Sequence, residues 1–304
     1  MAAPRLACVS VRCSPRVLVS LATYNERPNL ERLLPAIVQH WPTADILVID
    51  DNSPDGSGEY VRELARRDGR FRLLSRPGKL GLGTAVLAGM HYAIDHHYDF
   101  FVNMDADLSH DPRHLPALLA GMEQHDVMIG SRYIPGGKTI DWPLSRYLLS
   151  RAVNLLVRFL FRFRAHDLSG SYRCYRVSKL REAGLERVRS QGYSFMQEVL
   201  FRCQQIGCRI GETPITFVER QAGASKVSLY ESARSLGRLL RLGVPTFFGL
   251  ETTPCRRAAP PTSQADSQPT SQADSQRREN HTGRGRPLLG GLGQQLSDEL
   301  GQVA

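Results

Sequence analysis

Two carboxylates separated by one residue follow an apolar run of strand length about a third of the way along the sequence. The run 100–104 leads into Asp105 and Asp107. Because side chains two residues apart in an extended segment point the same way, both carboxylates can converge on one point. Adjacent anionic oxygens are ligands that a divalent cation prefers. Ligands bind at the carboxyl ends of strands in open α/β sheets, so the pair predicts a metal site there.

Two earlier apolar runs also end in acidic turns. One leads into Tyr24-Asn25-Glu26 and the next into Asp50-Asp51. Strand and helix patterns alternate along this part of the chain, which predicts an α/β fold with a mostly parallel central sheet and helices on both faces. All three acidic turns are then expected at one edge of the sheet. Such an edge is a poor anion site unless a metal or ligand amines neutralise it.

Hydrophobic periodicity predicts the elements that must position these turns. Strands are expected near 17–21, 46–49, 71–74, 100–104, 127–129 and 215–218, and a further strand is expected to follow the loop 167–173. Helices are expected near 30–37, 60–64, 81–94, 112–122, 143–164, 195–206 and 229–242.

The predicted helix 143–164 is basic and amphipathic. Arg151, Arg158 and Arg162 share one helical face, while leucines and phenylalanines supply apolar surface. Two interpretations fit: a helix packed on the core with its basic face in water, and a helix lying at an anionic membrane surface. The pattern alone favours the first.

Charge separates a basic body from a balanced tail. The 304 residues carry 39 Lys and Arg against 30 Asp and Glu, a net charge of +9, and residues 251–304 hold six of each sign. The excess in residues 1–250 indicates an anionic partner: nucleic acid, a phosphorylated ligand or a membrane surface. An octapeptide repeated across 261–276 predicts disorder. We expect a flexible segment 1–15, one globular domain over 16–250 and a disordered tail from 251.

The cysteines and the apolar runs bear on compartment. The six cysteines match no zinc-binding spacing, and a chain of this length needs no disulfide framework, so reduced thiols are expected. The first residues lack the apolar core of a signal peptide. No apolar run approaches the roughly 18 residues that span a bilayer. We expect a cytoplasmic protein whose membrane contact is peripheral.

Two nucleotide-binding motifs can be excluded. Gly81-Leu82-Gly83 lacks the third glycine of the dinucleotide fingerprint and does not lie in the first βα turn, and 76–80 lacks the Lys-Ser/Thr pair of a phosphate loop. An Asp pair, acidic turns and downstream arginines remain. That set suits transfer from a nucleotide diphosphate donor, with a cation bridging the diphosphate and stabilising the leaving group.

Seven stretches, taken in order, resemble one family. They are 23–30 (TYNERPNL), 50–56 (DDNSPDG), 104–110 (MDADLSH), 130–133 (GSRY), 167–173 (DLSGSYR), 192–195 (GYSF) and 220–226 (RQAGASK). The chain resembles glycosyltransferase family 2, whose fold is GT-A, and within it the dolichol-phosphate mannosyltransferase branch, especially forms without membrane spans. The Asp-x-Asp alone is unspecific, whereas the ordered set is highly specific. The resemblance covers about residues 16–245.

The resemblance implies a donor site for GDP-mannose with bound Mg²⁺ or Mn²⁺. The base and ribose would be held by Tyr24, Glu26, Ile49 and Asp51. The diphosphate and mannose would meet Asp105, Ala106 and Asp107. The metal ligands would be Asp105, Asp107 and Ser109, the last standing where relatives often carry Gln. Two residues of a loop that closes over the diphosphate would be Arg220 and Lys226. The donor-side turn would start at Ala22, where Pro is common.

The resemblance also implies a lipid acceptor, dolichyl or another polyprenyl phosphate, received by Arg132, Arg146 and Ser150. Asp107 and Arg132 are expected to be catalytic. A polyprenyl phosphate is already an anion at neutral pH, so positioning and charge compensation suffice without a general base. In-line attack on the α-linked donor would give the β-mannoside. Such an enzyme would work peripherally at the cytoplasmic face of a membrane, alone or with a membrane-anchoring subunit.

Other functions stay open from the sequence. The donor could instead be UDP-glucose or another nucleotide sugar. The basic body could also be a non-catalytic module that binds phosphate or lipid. No nucleic-acid partner is expected, because no recognition fold is present and the aromatic residues are not interleaved with the basic ones.

Several of the candidate residues also have a purely structural interpretation. Asp50 and Asp51 could only cap the next helix. Arg132 could be a surface salt-bridge partner, and Glu198 could face solvent. The histidines that follow the Asp pair, at positions 110 and 114, are expected to be structural and not metal ligands.

Overall fold

The computed structural model describes residues 14–190, 192, 194–219 and 237. All of them lie in the first of two compact units, Met1–Arg256, and the second unit is Arg257–Ala304. The predicted tail from 251, and the predicted helix 229–242 apart from residue 237, lie outside the described residues.

Strands and helices alternate through most of the described chain. The strands are β1 (Val17–Thr23), β2 (Asp45–Asp50), β3 (Phe71–Ser75), β4 (Phe100–Asp105), β5 (Val127–Ser131), β6 (Lys138–Ile140), β7 (Arg173–Arg176), β8 (Ile210–Pro214) and β9 (Thr216–Val218). The helices are α1 (Arg27–His40), α2 (Ser57–Arg67), α3 (Leu82–Asp95), α4 (Leu115–Gly121), α5 (Leu144–Phe161), α6 (Val177–Glu182) and α7 (Ser194–Gln205). Short 3₁₀ turns lie at Pro112–His114 and Leu185–Arg187.

The central sheet has the strand order β3-β2-β1-β4-β7-β5-β8 within the described residues. β1 pairs in parallel with β2 and β4, β2 with β3, and β5 with β8. β7 is antiparallel to both of its neighbours, β4 and β5. The predicted mostly parallel sheet is therefore confirmed. The sequence analysis missed β6, β8 and α6, which are three to six residues long and too short for a clear period.

Helices cover both faces of this sheet, as predicted. Leu18 of β1 packs in a core with residues of α3, α5, α6 and α7, whereas Val17, Val19 and Leu21 pack in a second core with α1 and α4. Alternate residues of one strand thus enter opposite layers. Because both faces are covered, β1 is apolar almost without interruption.

Parallel pairing brings the ends of three strands to one edge. Ala22 of β1 lies beside Ile49 of β2 on one side and Asp105 of β4 on the other. Thr23 lies beside Asp50. The predicted convergence of the turns after β1, β2 and β4 follows directly from this register.

Candidate active site

Three turns at this edge each contain a non-glycine residue in the left-handed region. Asn25 follows β1 with a φ of 61°, Asn52 follows β2 with 58°, and Leu108 follows β4 with 63°. Asn adopts this conformation readily, whereas a bulky residue such as Leu108 does so at a cost on the order of 1–3 kcal/mol. The strained residue lies between Asp107 and Ser109 and turns the chain back over the end of β4.

The Asp pair is divided between a strand and a turn. β4 ends at Asp105, whose two carboxylate oxygens each lie 2.8 Å from the donating Ser171 Oγ. Asp107 lies in the following turn, where its Oδ1 accepts from the Ser109 amide at 3.1 Å. Burial raises the pKa of Asp105, and the neighbouring Asp107 carboxylate adds to the rise. The turn, and not strand alternation, places the second carboxylate.

The donor atoms at the pair fit a hard cation that is shared with a substrate. Among the described residues, no three Asp, Glu, His or Cys side chains are placed to hold a metal. Asp105, Asp107 and the hydroxyl of the buried Ser109 are the candidate ligands. Mg²⁺ is usually bound through one or two carboxylates together with substrate phosphates. The residues therefore fit Mg²⁺ or Mn²⁺ that takes further oxygens from a bound diphosphate.

His110 holds the end of β4 in place. Its Nδ1 accepts from the Asp105 amide at 3.1 Å. Its ring stacks on Tyr172 with centroids 4.8 Å apart and meets the edge of Phe217 at 5.4 Å. Burial lowers the pKa of His110 despite the nearby Asp105, so the imidazole is neutral with its proton on Nε2. His114 Nε2 likewise accepts from the first amide of β9, so both histidines bind backbone.

The first carboxylate after β2 is satisfied within the protein. Asp50 is buried and accepts hydrogen bonds from Thr23 Oγ1 and from both the amide and the hydroxyl of Ser53. It does not cap the next helix, which begins after Gly56. Neutral donors of the protein therefore satisfy this carboxylate without a ligand.

Asp51 is paired with an arginine that the sequence analysis missed. Arg76 Nε lies 2.5 Å from Asp51 Oδ1, and the Leu80 amide donates to Oδ2 at 3.2 Å. Arg76 also donates to Thr84 Oγ1 on α3 at 2.8 Å. The segment 76–81 thus closes over the end of β2. The only sequence signal for this contact is an arginine next to a Pro-Gly turn, which is too common a pattern to predict it.

Two of the predicted base-binding residues lie beside this segment. Tyr24 and Glu26 are half-buried in the turn after β1. Lys79 Nζ lies 5.1 Å from the Tyr24 ring centroid, and the Asn29 side chain donates to Glu26 at 2.7 Å. The Tyr24 ring, the carboxylates of Glu26 and Asp51, and Lys79 therefore lie near the neighbouring ends of β1 and β2.

The remaining predicted donor residues differ in what they expose. Ile49 is fully buried in the core, so its contribution to a ligand would come through the main chain. Ala106 is buried and Ala22 is half-buried. Arg220 and Lys226 lie outside the described residues.

A second group of residues surrounds the end of β5. Arg132 forms a bidentate ion pair with Asp167, with Nε to Oδ2 at 2.7 Å and Nη2 to Oδ1 at 2.8 Å. Nη2 also donates to Ser169 Oγ at 2.9 Å. Burial alone would lower the pKa of Arg132 and raise that of Asp167. Because the two opposite charges are in contact, the pKa of Arg132 is instead raised and that of Asp167 is lowered. The structural alternative for Arg132 was a salt bridge at the surface. The salt bridge is present, but Arg132 is only 7% exposed, so the surface position was wrong.

Aromatic rings bring the three predicted acceptor residues together. The Arg132 guanidinium carbon lies 5.1 Å from the ring centroids of both Tyr133 and Trp142. The guanidinium carbon of Arg146 lies 4.4 Å from the same Trp142 ring. The Tyr133 hydroxyl donates to Ser150 Oγ at 2.6 Å. Two cations and a hydroxyl thus share one aromatic patch.

The loop 167–171 joins the two groups of residues. Asp167, at its start, binds Arg132, and Ser171, at its end, binds Asp105. Asn154 of α5 fixes the middle of the loop by accepting from the Leu168 amide at 2.6 Å. β7 follows the loop and runs antiparallel, so its first residues lie at the same edge as the ends of β4 and β5.

Glu198 is not at the surface, which corrects the solvent-facing alternative. It is 2% exposed, accepts from the amides of Arg189 and Ser190, and pairs with Arg202. It is therefore a structural residue of α7.

Cys174, Cys203 and Cys208 are free thiols, and the other cysteines lie outside the described residues.

Helix α5 leaves an apolar face in solvent. Leu144, Leu148, Leu155 and Phe159 are each more than half exposed. Among the helices in the described ranges, none has the length and apolar character that crossing a bilayer requires.

A glycine next to Arg132 gives a direct test of how tightly this region is built. A Cβ on Gly137 would lie 2.5 Å from the Ser131 carbonyl oxygen and 2.8 Å from the Arg132 carbonyl carbon. Since these are backbone atoms, Gly137→Ala should lower the free energy of unfolding by about 1–3 kcal/mol in urea denaturation. Gly69→Ala is the control, because nothing lies within 4 Å of its added Cβ. Equal stability of the two variants would contradict the close approach.

The comparisons with known proteins agree with this architecture. The family model described as Glycosyl transferase family 2 matches residues 19–184. The chain is 43% identical over 213 residues to a protein of Micrococcus luteus named undecaprenyl-phosphate mannosyltransferase, covering 70% of this chain and 88% of the relative. It is 42% identical over 221 residues to polyprenol monophosphomannose synthase of Mycolicibacterium smegmatis, covering 72% and 83%.

Solved structures share the fold at low sequence identity. Glucosyl-3-phosphoglycerate synthase from Mycobacterium tuberculosis, in complex with Mn²⁺, UDP and phosphoglyceric acid, matches with a TM-score of 0.54 at 16% identity, covering 79% of this chain and 81% of that one. A mannosyltransferase from Pyrobaculum calidifontis in complex with GDP-Man and Mn²⁺ matches with a TM-score of 0.50 at 18% identity, covering 76% and 64%.

Proposed function

The chain belongs to glycosyl transferase family 2 and has the GT-A fold, and on that premise we propose that it transfers mannose from GDP-mannose to a polyprenyl phosphate such as dolichyl phosphate. The observation that carries the proposal is the similarity, over most of their length, to two relatives named for mannose transfer to polyprenyl phosphates. The two groups of residues at the sheet edge supply the chemistry that this transfer needs.

The donor half of the site is the edge formed by β1, β2 and β4. Tyr24, Glu26 and Asp51 would bind the base and ribose, and Asp105 and Asp107 would face the diphosphate. Mg²⁺ or Mn²⁺ held by that pair would neutralise the charge that grows on the departing diphosphate. Ser171 and the His110 ring fix Asp105, so its carboxylate is oriented before the donor binds. The loop that contains Arg220 and Lys226 would complete this half.

The acceptor half is the aromatic patch of Arg132, Arg146 and Ser150. Guanidinium groups form strong, charge-assisted hydrogen bonds to phosphate, which suits the head of a polyprenyl phosphate. Because Nε and Nη2 of Arg132 bind Asp167 and Ser169, the phosphate would meet its Nη1 group. The phosphate oxygen is already anionic at neutral pH, so attack requires position and charge compensation only. His110 has Nδ1 occupied by the Asp105 amide and is not needed as a base. In-line displacement from an α-linked donor gives the β-linked product.

The acceptor requires the enzyme to reach a membrane. The exposed apolar face of α5 supports peripheral binding at the membrane surface, since this helix also carries the acceptor residues Arg146 and Ser150. We place the protein at the cytoplasmic face, alone or with a membrane-anchoring subunit.

A donor and acceptor panel tests the proposed reaction. Purified protein is incubated with Mn²⁺, radiolabelled nucleotide sugars and polyprenyl phosphates of several lengths, and label in the organic phase is counted. Label should pass from GDP-mannose with a β linkage. Transfer from UDP-glucose alone would change the donor, and no organic-soluble label from any pair would leave only a phosphate- or lipid-binding module.

Arg76→Ala should weaken donor binding. Without Arg76, the Asp51 carboxylate loses its partner and the segment 76–81 loses its bond to Thr84. A hydrogen bond to a charged group contributes about 1.5–3 kcal/mol, so the KM for GDP-mannose should rise roughly 10- to 150-fold with kcat little changed. Arg70→Ala is the control, because Arg70 pairs with Asp68 at the start of β3, the other end of that strand. A fall in kcat at constant KM would contradict this role.

A further inference from the structure

An open groove runs beside helix α5. Its volume is about 190 Å³. It is lined by Arg151, Ala152, Asn154, Leu155, Arg158 and His166. Four of these residues are polar, but most of the wall that the groove exposes is formed by apolar side-chain atoms. None of the six residues belongs to the donor half, but the guanidinium carbon of Arg151 lies 5.1 Å from the Tyr133 ring centroid, so the groove adjoins the aromatic acceptor patch.

The groove has positive charge without a carboxylate to compensate its arginines. Between Trp142 and His166 the sequence contains five arginines and no Asp or Glu. Within the part of the chain that the structure describes, neither Arg151 nor Arg158 forms an ion pair, while Arg146 and Arg132 both do. His166 is held by Glu212, with Nδ1 and Oε2 2.9 Å apart. The groove therefore offers two guanidinium groups to an anion.

An apolar row lies next to these arginines on the same helix. Leu144, Leu148, Leu155 and Phe159 are 71%, 56%, 66% and 63% exposed. Their spacing of four, seven and four residues puts them on one face. Arg151 and Arg158 precede Leu155 and Phe159 by four and one positions, so they flank that row. A ligand for this surface must be anionic where it meets the arginines and apolar where it meets the row.

A phospholipid layer combines both properties, with anionic phosphates at its surface and apolar acyl chains beneath them. An interfacial helix buries its apolar residues just below the headgroups, while arginines at its flank bind the phosphates. α5 has 18 residues and is thus about 27 Å long, enough to contact several headgroups. An acidic protein partner would meet the arginines equally well, but it would leave a row of leucines spread over four helical turns without matching surface.

Two side chains of the groove, Asn154 and Arg151, contact residues of the active site. Asn154 forms part of its wall, and its amide accepts from Leu168 and donates to Ser169 Oγ. Ser169 Oγ also accepts from Arg132. A headgroup seated in the groove would therefore lie two residue contacts from Arg132, which would fix the height of the acceptor site above the membrane.

We propose that the groove between Arg151, Arg158 and His166 is a binding site for the phosphate of an anionic phospholipid, beside the acceptor site at Arg132 and occupied by a different lipid. The site rests on the proposed function in one respect: it is the means by which an enzyme with a lipid acceptor docks at the membrane. The apolar row then enters the acyl region beside the bound headgroup.

Vesicle binding tests the site without any turnover. The full-length protein is sedimented with phosphatidylcholine vesicles, with or without roughly 30 mol % phosphatidylglycerol, in the absence of nucleotide sugar and polyprenyl phosphate. Wild type should bind the anionic vesicles at least about 10-fold more tightly than the neutral ones. Arg151→Gln/Arg158→Gln should lose most of that difference. Arg66→Gln/Arg67→Gln, with the same charge change on the exposed end of α2, should lose little.

Two further measurements separate a built site from general surface charge. Arg151→Lys/Arg158→Lys keeps the charge but not the bidentate geometry, so it should bind anionic vesicles measurably less tightly than wild type. Mannose transfer to a short polyprenyl phosphate in detergent should be unchanged in Arg158→Gln, because Arg158 lies two helical turns beyond Arg151, whose guanidinium contacts Tyr133 of the acceptor patch. The site is overturned if wild type binds neither vesicle or both equally, if the Lys variant equals wild type, or if the α2 control loses as much. Failure of transfer in wild type would instead overturn the proposed function and leave vesicle binding informative.

Discussion

Replacing Asp107 with Asn is expected to lower kcat for mannose transfer by roughly 10³-fold, the size of effect that follows loss of one electrostatic contact to transition-state charge. The amide keeps an oxygen to accept from the Ser109 amide, so the strained turn at Leu108 should persist. The substitution removes the negative charge with which Asp107 would bind the cation. EDTA should abolish wild-type turnover and Mn²⁺ should restore it, whereas the variant should need far more Mn²⁺. Turnover at saturating donor, measured across a Mn²⁺ titration, checks both statements.

Asp111→Asn provides a closely matched control. Asp111 lies four residues further along and accepts from the Arg113 amide at 2.9 Å, the same type of bond that Asp107 makes. Asn is an equally good partner in such a turn, so this variant should keep near wild-type activity and stability. If Asp107→Asn retained more than about a tenth of wild-type kcat, a role in holding the cation would be excluded.

Asp167→Ala is expected to be strongly destabilising, by about 3–5 kcal/mol in denaturant unfolding. It removes the partner of a buried guanidinium and leaves Arg132 charged without compensation. It also removes the acceptor for the amides of Arg132 and Gly170. Asp68→Ala, which breaks an ion pair at the surface, should cost only about 0–1 kcal/mol.

A double variant separates stability from chemistry at this pair. Arg132→Gln/Asp167→Asn removes both charges together, so the buried, uncompensated cation is avoided and stability should recover above that of Asp167→Ala. Transfer activity should nevertheless stay low, because the acceptor phosphate loses Arg132. Recovery of activity along with stability would mean that Arg132 serves the fold alone.

The same carboxyl gives a pH dependence with a definite sign. Burial would raise the pKa of Asp167, but the charge and hydrogen bonds of Arg132 outweigh burial and lower it below 3.8. A lowered folded-state pKa adds stability at pH values above 3.8, and that stability is lost as the pH falls through the folded value. The difference in unfolding free energy between wild type and Asp167→Asn should therefore be full at pH 7 and shrink in strong acid. An unchanged difference there would contradict the assignment.

The donor edge could be predicted from the sequence because its determinants are local. Apolar runs of strand length precede Tyr24, Asp51 and Asp105, and alternation with helices requires parallel strands whose ends meet. That reasoning gave the correct edge. It gave the wrong reason for Asp107, since β4 stops at Asp105 and a turn with a left-handed Leu108 places the second carboxylate.

The partners of these residues could not be predicted, because each lies far away in the sequence. Asp167 is 35 residues from Arg132, and Ser171 is 66 from Asp105. Arg76 reaches Asp51 only because its segment folds over β2. Glu198 is hidden because α7 is buried on nearly all sides, so its sequence has no polar face that would show which positions meet solvent.

The position of β7 has a consequence for how the protein is made. β7 occupies the space between β4 and β5, yet it begins about 70 residues after β4 ends. At roughly 5–20 residues per second of synthesis, β4 has an unpaired edge for roughly 4–14 seconds on the ribosome. An apolar strand with open backbone groups is a template for pairing with other chains. Aggregation of nascent chains arrested before residue 173, compared with chains extended beyond residue 176, would measure this exposure, and the newly made enzyme passes through it in every round of translation.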